Sequence, residues 1–240
     1  MVIIVTGHSR GVGSAIVNKI LTDTNYTVLG ISRASHEIFK DLYEEYGERF
    51  HHITYDLSDI KGIRNLYLNK LKHYGPIVGL VNNSAVAYDD LVTNLNIDEL
   101  TEMFQVNVFA AMQLTKYVIR DMLLNKCKGS IVFVSSVSAH TSYKGLSMYA
   151  ATKGAVEAFS KGVAREWGKL GIRSNCIVAG FMDTSMSSTL SEEHKKRIYQ
   201  RTSLKKETSI ESVAETALFL LTEKSESITG GNIFVDNGTI

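Results

Sequence analysis

Short apolar runs alternate along this chain with longer segments in which apolar residues recur every three or four positions. Val2 to Val5, Thr27 to Ser32, Phe50 to Tyr55, Ile77 to Asn82, Gly129 to Ser135, Ile172 to Val178 and Gly231 to Val235 predict strands. Between them, Gly13 to Thr22, Ala34 to Tyr46, Ile60 to Tyr74, Ser147 to Leu170 and Glu211 to Leu221 predict helices. Ile97 to Asn125 predicts one long helix or two in tandem. Strand and helix in repeated alternation predict an α/β fold. Its centre is a doubly wound parallel sheet of about seven strands with helices on both faces. The chain has one proline, Pro76, and no internal repeat or low-complexity tract. Residues 1–240 therefore read as a single domain.

Composition narrows the function without naming it. Hydrophobic residues make up 44% and charged residues 21%, enough for a substantial core. A net charge of +1 gives no drive toward nucleic acid or an anionic membrane, and the apolar runs are too short to span a bilayer. Met1 is followed at once by Val2-Ile3-Ile4-Val5, which reads as a buried strand rather than a leader. Cys127 and Cys176 are widely spaced and read as reduced thiols, neither a disulfide framework nor a metal site. A cytoplasmic protein without a metal is expected.

Two patterns carry chemistry. Tyr149-Ala150-Ala151-Thr152-Lys153 places a tyrosine and a lysine on one helix face. A free tyrosine titrates near ~10, and a nearby ammonium favours the phenolate, so the pair makes a tunable general acid/base where it faces a pocket. Ser136 lies thirteen residues before Tyr149 and ends the apolar run Ile131-Val132-Phe133-Val134-Ser135, at the sheet edge where α/β proteins bind ligands. An isolated Tyr/Lys pair is common on solvated helices, so its weight comes from its surroundings. The second pattern is Thr6-Gly7-His8-Ser9-Arg10-Gly11-Val12-Gly13, between the first strand and the first helix. Glycines there permit a tight turn and close approach of a pyrophosphate, and the helix end supplies N–H groups. Three residues separate the first two glycines, unlike the common dinucleotide fingerprint.

With Asp56, Asn82-Asn83-Ser84-Ala85 and Asn107 in order beside these, the whole chain resembles the short-chain dehydrogenase/reductase family, whose fold is of Rossmann type. Ala164 to Gly180 and Ile228 to Gly238 are most similar to bacterial 3-oxoacyl-acyl-carrier-protein reductases. The resemblance implies that Tyr149 protonates a carbonyl oxygen, Lys153 lowers its pKa and binds the nicotinamide ribose, and Ser136 holds the substrate oxygen. Asn107 would anchor a water that relays protons toward Lys153; the plainer reading is a buried amide that kinks its helix. The cofactor would lie against Gly7, Ser9, Arg10, Gly11, Val12 and Gly13. Asp56 and Leu57 would lie at its adenine, Asn82 beneath it, and Thr184 at its carboxamide. Ser32 and Arg33 stand where an NAD-selective site carries an acid, and Arg33 and Arg10 suit a 2′-phosphate, so the cofactor expected is NADP.

The chain departs from the family at Ser84-Ala85, where Ala-Gly is usual, at Ala179-Gly180 for Pro-Gly, and at Asp236-Asn237-Gly238 for Asp-Gly-Gly. None of these removes a catalytic group. Residues 181–207 predict a helical lid, with Met182, Met186 and Leu190 on its apolar side. Glu192, Glu193, Lys195, Lys196, Arg197 and Arg201 form its charged side. That charge is either a solvated face or a contact for an anionic substrate. Lys126, Lys128 and Lys169 are candidates for docking an acyl carrier protein, or ordinary surface lysines. Tyr88, His140 and Tyr143 are candidate substrate contacts, with a structural role equally open for His140. The resemblance implies a homotetramer or homodimer built on the long helices. The expected activity is carbonyl reduction. A sugar or other small-alcohol oxidoreductase and a non-catalytic nucleotide-binding regulator are the alternatives.

Overall fold

The computed structural model describes residues 1–34, 36–184 and 190–240, with His36 described by its backbone alone. Seven parallel strands form one sheet: β1 (Val2–Thr6), β2 (Thr27–Ser32), β3 (Phe50–Thr54), β4 (Ile77–Asn82), β5 (Gly129–Ser136), β6 (Ile172–Ala179) and β7 (Asn232–Val235). Their order is β3-β2-β1-β4-β5-β6-β7. The order reverses at β1, so the crevice beyond the carboxyl ends of β1 and β4 is the place for a ligand.

Alternation along β1 explains the two helical layers. Val2 and Ile4 face one apolar cluster, with Leu66, Leu114, Val118, Val156 and Val163. Ile3 and Val5 face the other, with Ile16, Ile20, Val213, Ala217 and Leu220. The first layer holds α3 (Ile63–Leu66), α5 (Ala110–Leu124) and α7 (Ser147–Trp167); the second holds α1 (Gly11–Asp23) and α9 (Ile210–Leu221). The remaining helices are α2 (Lys40–Tyr46), α4 (Ile97–Phe104), α6 (Ser138–Thr141) and α8 (Glu192–Tyr199).

Three predicted helices gain detail, and the tandem alternative for Ile97 to Asn125 is the one observed. The helix expected from Ala34 begins at Lys40, after a 3-10 turn over His36–Phe39, because the Ala34 carbonyl is engaged by the His52 ring at 2.9 Å. The stretch Ile97 to Asn125 is α4 and α5 joined by a π-helical turn, Gln105–Phe109, with Asn107 inside it. The stretch Ile60 to Tyr74 likewise passes from α3 through a π-helical turn, Tyr67–Leu71. Of the predicted lid, α8 is present and is capped by the Ser191 hydroxyl, which accepts from the His194 N–H at 3.3 Å. Met186 lies outside the described residues.

The floor of the crevice is tied by one side chain. Thr6, buried at the end of β1, accepts from the N–H groups of Asn83 and Ser84, both at 3.0 Å, and donates to the Val81 carbonyl at 3.3 Å. The Asn83 amide in turn donates to the carbonyls of Thr6 (3.0 Å) and Gly7 (3.2 Å). Thr6→Val keeps the shape and leaves two N–H groups without their acceptor. Urea denaturation should show a loss of about 2–4 kcal/mol, with Thr6→Ser close to wild type.

Candidate active site

Ser136 is the last residue of β5, and its Oγ accepts from the Ser138 N–H at 3.2 Å and the Ser138 hydroxyl at 3.0 Å. The first two turns of α7 bring Tyr149 and Lys153 to the same edge. Lys153 is buried, and its Nζ donates to the Val134 carbonyl of β5 at 2.8 Å while lying 5.5 Å from the centre of the Tyr149 ring. Burial lowers its pKa to about 8, and the pull of Cys176 and Glu157 offsets only part of that. Tyr149 moves the other way: burial, then the charge of Asp89, push its hydroxyl above the ordinary tyrosine range. The spacing alone predicted a lowered value. The structure differs because burial of the hydroxyl, joined by the charge of Asp89, raises it. Sequence reasoning missed Asp89, a carboxylate on the loop after β4 whose own pKa is raised by burial. That loop is joined to the approach to α7 by the bond from the Asp90 N–H to the Gly145 carbonyl, 3.0 Å.

The Asn107 side chain is a clamp. Its Oδ1 accepts from the Val86 N–H at 2.8 Å, and its Nδ2 donates to the Val86 carbonyl at 2.9 Å and the Thr152 hydroxyl at 3.1 Å. Thr152 passes the contact to the Tyr149 carbonyl at 2.8 Å. Asn107, Asn82 and Lys153 also line a cavity of about 10 Å³. That is near the smallest volume that holds one water.

The glycine-rich turn fits a dinucleotide. Gly7 and Gly11 have φ of +68° and +57°, and a side chain on Gly13 would run into the Gly7 carbonyl. The N-cap of α1, Arg10, makes no side-chain cap and no acid sits in the first turn, so the helix end presents its N–H groups to an anion. Val12 is buried beneath the turn, and Ser9 is partly exposed. Thr184 reaches over it, its methyl 3.9 Å from where a Gly11 Cβ would stand. Asn82 Oδ1 is buried without a partner, while its Nδ2 donates to Thr115 at 3.3 Å. At the end of β2, Ser32 is buried and Arg33 exposed. The Ser58 N–H and hydroxyl, with Arg33, hold Asp56 below the usual carboxylate range. Leu57 packs into the core beside it.

A family model described as enoyl-(acyl carrier protein) reductase matches residues 7–239. The 3-oxoacyl-[acyl-carrier-protein] reductase of Chlamydia muridarum is 32% identical over 238 residues, 98% of this chain and 95% of that protein. The chain belongs to the short-chain dehydrogenase/reductase family. It is an oxidoreductase of that family, and carbonyl reductase [NADPH] 2 of Sus scrofa is also 32% identical, over 98% of this chain and 94% of that one. A solved structure of a candidate NAD(P)-dependent gluconate 5-dehydrogenase from Beutenbergia cavernae, with bound NADP at low occupancy, superposes with a TM-score of 0.92. It is 25% identical and covers 99% of this chain and 96% of that one.

The oxidoreductase's other candidate residues divide. His140 is 2.9 Å from the buried Glu157 carboxylate, which also accepts from Ser135 (2.5 Å) and Asn232 (2.6 Å), so the histidine is held as part of a structural network. The Tyr88 hydroxyl is spent on its own loop, donating to the Asn94 carbonyl and accepting from the Asn96 N–H, both at 3.2 Å. Tyr143 is half-buried near Arg201 and Asp236. On the lid, Lys195 pairs with Asp183 and Glu192, both at 2.8 Å, and Arg197 with Glu193 at 2.6 Å. Met182 and Leu190 are partly buried, while Lys196 and Arg201 are exposed. Lys126, Lys128 and Lys169 stand before the amino ends of β5 and β6. Ser136 closes the other end of β5, about 25 Å away at ~3.3 Å per residue, so these lysines are not beside the crevice. Among the described residues no group of three potential ligands gathers for a metal, and no helix is long and apolar enough to cross a membrane.

The buried ammonium has a measurable cost. Between about 8 in the fold and 10.5 in the open chain, the unfolded state binds more protons, so stability rises with pH across that window. Below it, the charge costs about 3 kcal/mol at ~1.4 kcal/mol per unit. Lys153→Met should therefore melt higher than wild type at pH 7 without added nucleotide. The gap should close between pH 8 and 10.5 in parallel thermal melts.

Proposed function

We propose that this oxidoreductase reduces a carbonyl to a hydroxyl with NADP as its cofactor and Tyr149 as the general acid. One observation carries the reading. Ser136 ends β5 at the carboxyl edge of the sheet, Lys153 on the same helix as Tyr149 donates to the Val134 carbonyl of that strand, and β2, beside β1 and its glycine-rich turn, ends in Ser32 and Arg33 rather than an acid. The cofactor, when bound, supplies the hydride. Arg33 and Arg10 would hold its 2′-phosphate, the turn and the α1 N-terminus its pyrophosphate, and Asn82 and Thr184 the nicotinamide end.

The chain's own groups handle charge and proton. As the substrate oxygen gains negative charge, the hydroxyls of Ser136 and Tyr149 donate to it. Tyr149 then gives up its proton. Burial and Asp89 hold that proton on the tyrosine until the oxygen calls for it, and the Lys153 ammonium below the ring stabilises the phenolate left behind. Lys153, with a pKa near 8, is suited to pass on a proton at neutral pH, and the small cavity it shares with Asn107 lies on its path.

The similarity to 3-oxoacyl-[acyl-carrier-protein] reductases supports a 3-oxoacyl thioester on acyl carrier protein as the substrate. The likeness to a candidate gluconate dehydrogenase supports a second reading, a sugar acid or polyol, which parallel assays on the two substrate classes would separate. The charge on the lid is largely paired internally, which favours a substrate without a required anionic contact there.

Isothermal titration should give tight NADPH and weak NADH binding, with Arg33→Ala removing most of the difference. Equal affinity in wild type would refute the cofactor assignment. Tyr149→Phe should keep NADPH affinity and lose turnover by about 100- to 10,000-fold. Turnover near wild type would exclude Tyr149 as the acid.

A further inference from the structure

His8 stands inside the glycine-rich turn, yet its side chain leaves the crevice and enters the protein. It is 1% exposed, stacks on Phe39 with ring centres 4.6 Å apart, and meets Phe50 edge-on at 5.8 Å. β2 makes room for it with a glycine: a Cβ on Gly30 would come within 2.5 Å of the imidazole Nε2. That nitrogen lies 3.1 Å from Nδ1 of His52, which is buried on β3. The other nitrogen of His52 lies 2.9 Å from the Ala34 carbonyl and 3.1 Å from the Thr54 hydroxyl.

Hydrogen accounting fixes the direction of this chain. A carbonyl only accepts, so Nε2 of His52 carries the hydrogen that meets Ala34. In a neutral ring Nδ1 then accepts, and His8 donates to it from Nε2. With His52 neutral, both rings take the same tautomer; burial and the His52 contact, offset in part by the Ile31 backbone, hold the His8 pKa down at about 4. The relay starts in the turn between Gly7 and Gly11 and ends on the residue after Arg33. Ala34 is gripped from both sides, its carbonyl by His52 and its N–H by the Ser32 hydroxyl at 3.4 Å.

We propose that His8 and His52 are a buried positioning pair that fixes the loop bearing Arg33 relative to the glycine-rich turn, and so sets the preference for a cofactor carrying a 2′-phosphate. The inference rests on the NADP reading above. An exposed arginine fork reads a phosphate only as well as its backbone is placed, because each loose degree of freedom is lost on binding. A neutral imidazole pair supplies a donor to Ala34 without adding charge beneath the phosphate. The pyrophosphate contacts that NADH and NADPH would share fall at the turn, which the Asn83 amide and Thr6 also hold. Loss of the relay should thus fall on the phosphate-bearing cofactor.

The test is equilibrium titration of NADPH and NADH with wild type, His52→Leu and His52→Gln, with thermal melts to establish folding. His52→Leu should weaken NADPH binding about tenfold and change NADH binding less than twofold. His52→Gln, which keeps an N–H toward Ala34, should recover most of the loss. Equal losses for both cofactors, or no loss in a folded variant, would overturn the proposal. Wild type without an NADPH preference would instead overturn the cofactor reading beneath it. Should the variants fail to fold, imidazole ¹⁵N spectra of wild type decide the matter. Both rings protonated at Nε2 alone would support the relay, and a charged ring or an Nδ1–H tautomer would refute it.

Discussion

Parallel alignment is the constraint on which everything else rests. With all seven strands pointing the same way, every strand exit opens at one edge, and the loops that follow β1, β2, β4, β5 and β6 must share that space. Ladder hydrogen bonds stop there, so side chains take over the work of joining neighbours. Thr6 does this between β1 and β4, Asn107 between the β4 loop and α7, and Glu157 among α6, β5 and β7. Each is a polar group buried with its partners satisfied, which is the arrangement that makes one geometry much better than its near neighbours.

The electrostatics of the edge follow from the same crowding. Lys153 is carried into the interior on a helix whose buried face mixes Val156 and Val163 with Thr152, Glu157 and Ser160, and its direct partner is a carbonyl rather than a carboxylate. Its charge is therefore poorly compensated, and the tyrosine above it is poorly solvated. The two titrations are displaced in opposite directions, and both displacements favour the uncharged form of the group.

Most of the architecture was legible because parallel strands buried on both faces read as unbroken apolar runs, and the helices between them keep a clear period. Ile77 to Asn82 and Thr27 to Ser32 match their strands residue for residue. What escaped the pattern was irregular hydrogen bonding. A π-helical turn keeps the apolar period nearly intact while adding a residue, so nothing in Ile97 to Asn125 marked where the helix would widen. The late start of α2 has a cause eighteen residues downstream, in the ring of His52. The candidate groups in the crevice were legible from their spacing. The direction of the Tyr149 shift was not, because it depends on how deeply the hydroxyl is buried and on Asp89, a carboxylate that no motif singles out.

Gly30 and His8 form a lock. The imidazole occupies the volume that any side chain at position 30 would need. With His8 in place, a side chain at position 30 meets the ring, whereas a smaller residue at position 8 leaves Gly30 free to change. The pair is thus a site of epistasis, in which the residue tolerated at position 30 is set by the one at position 8.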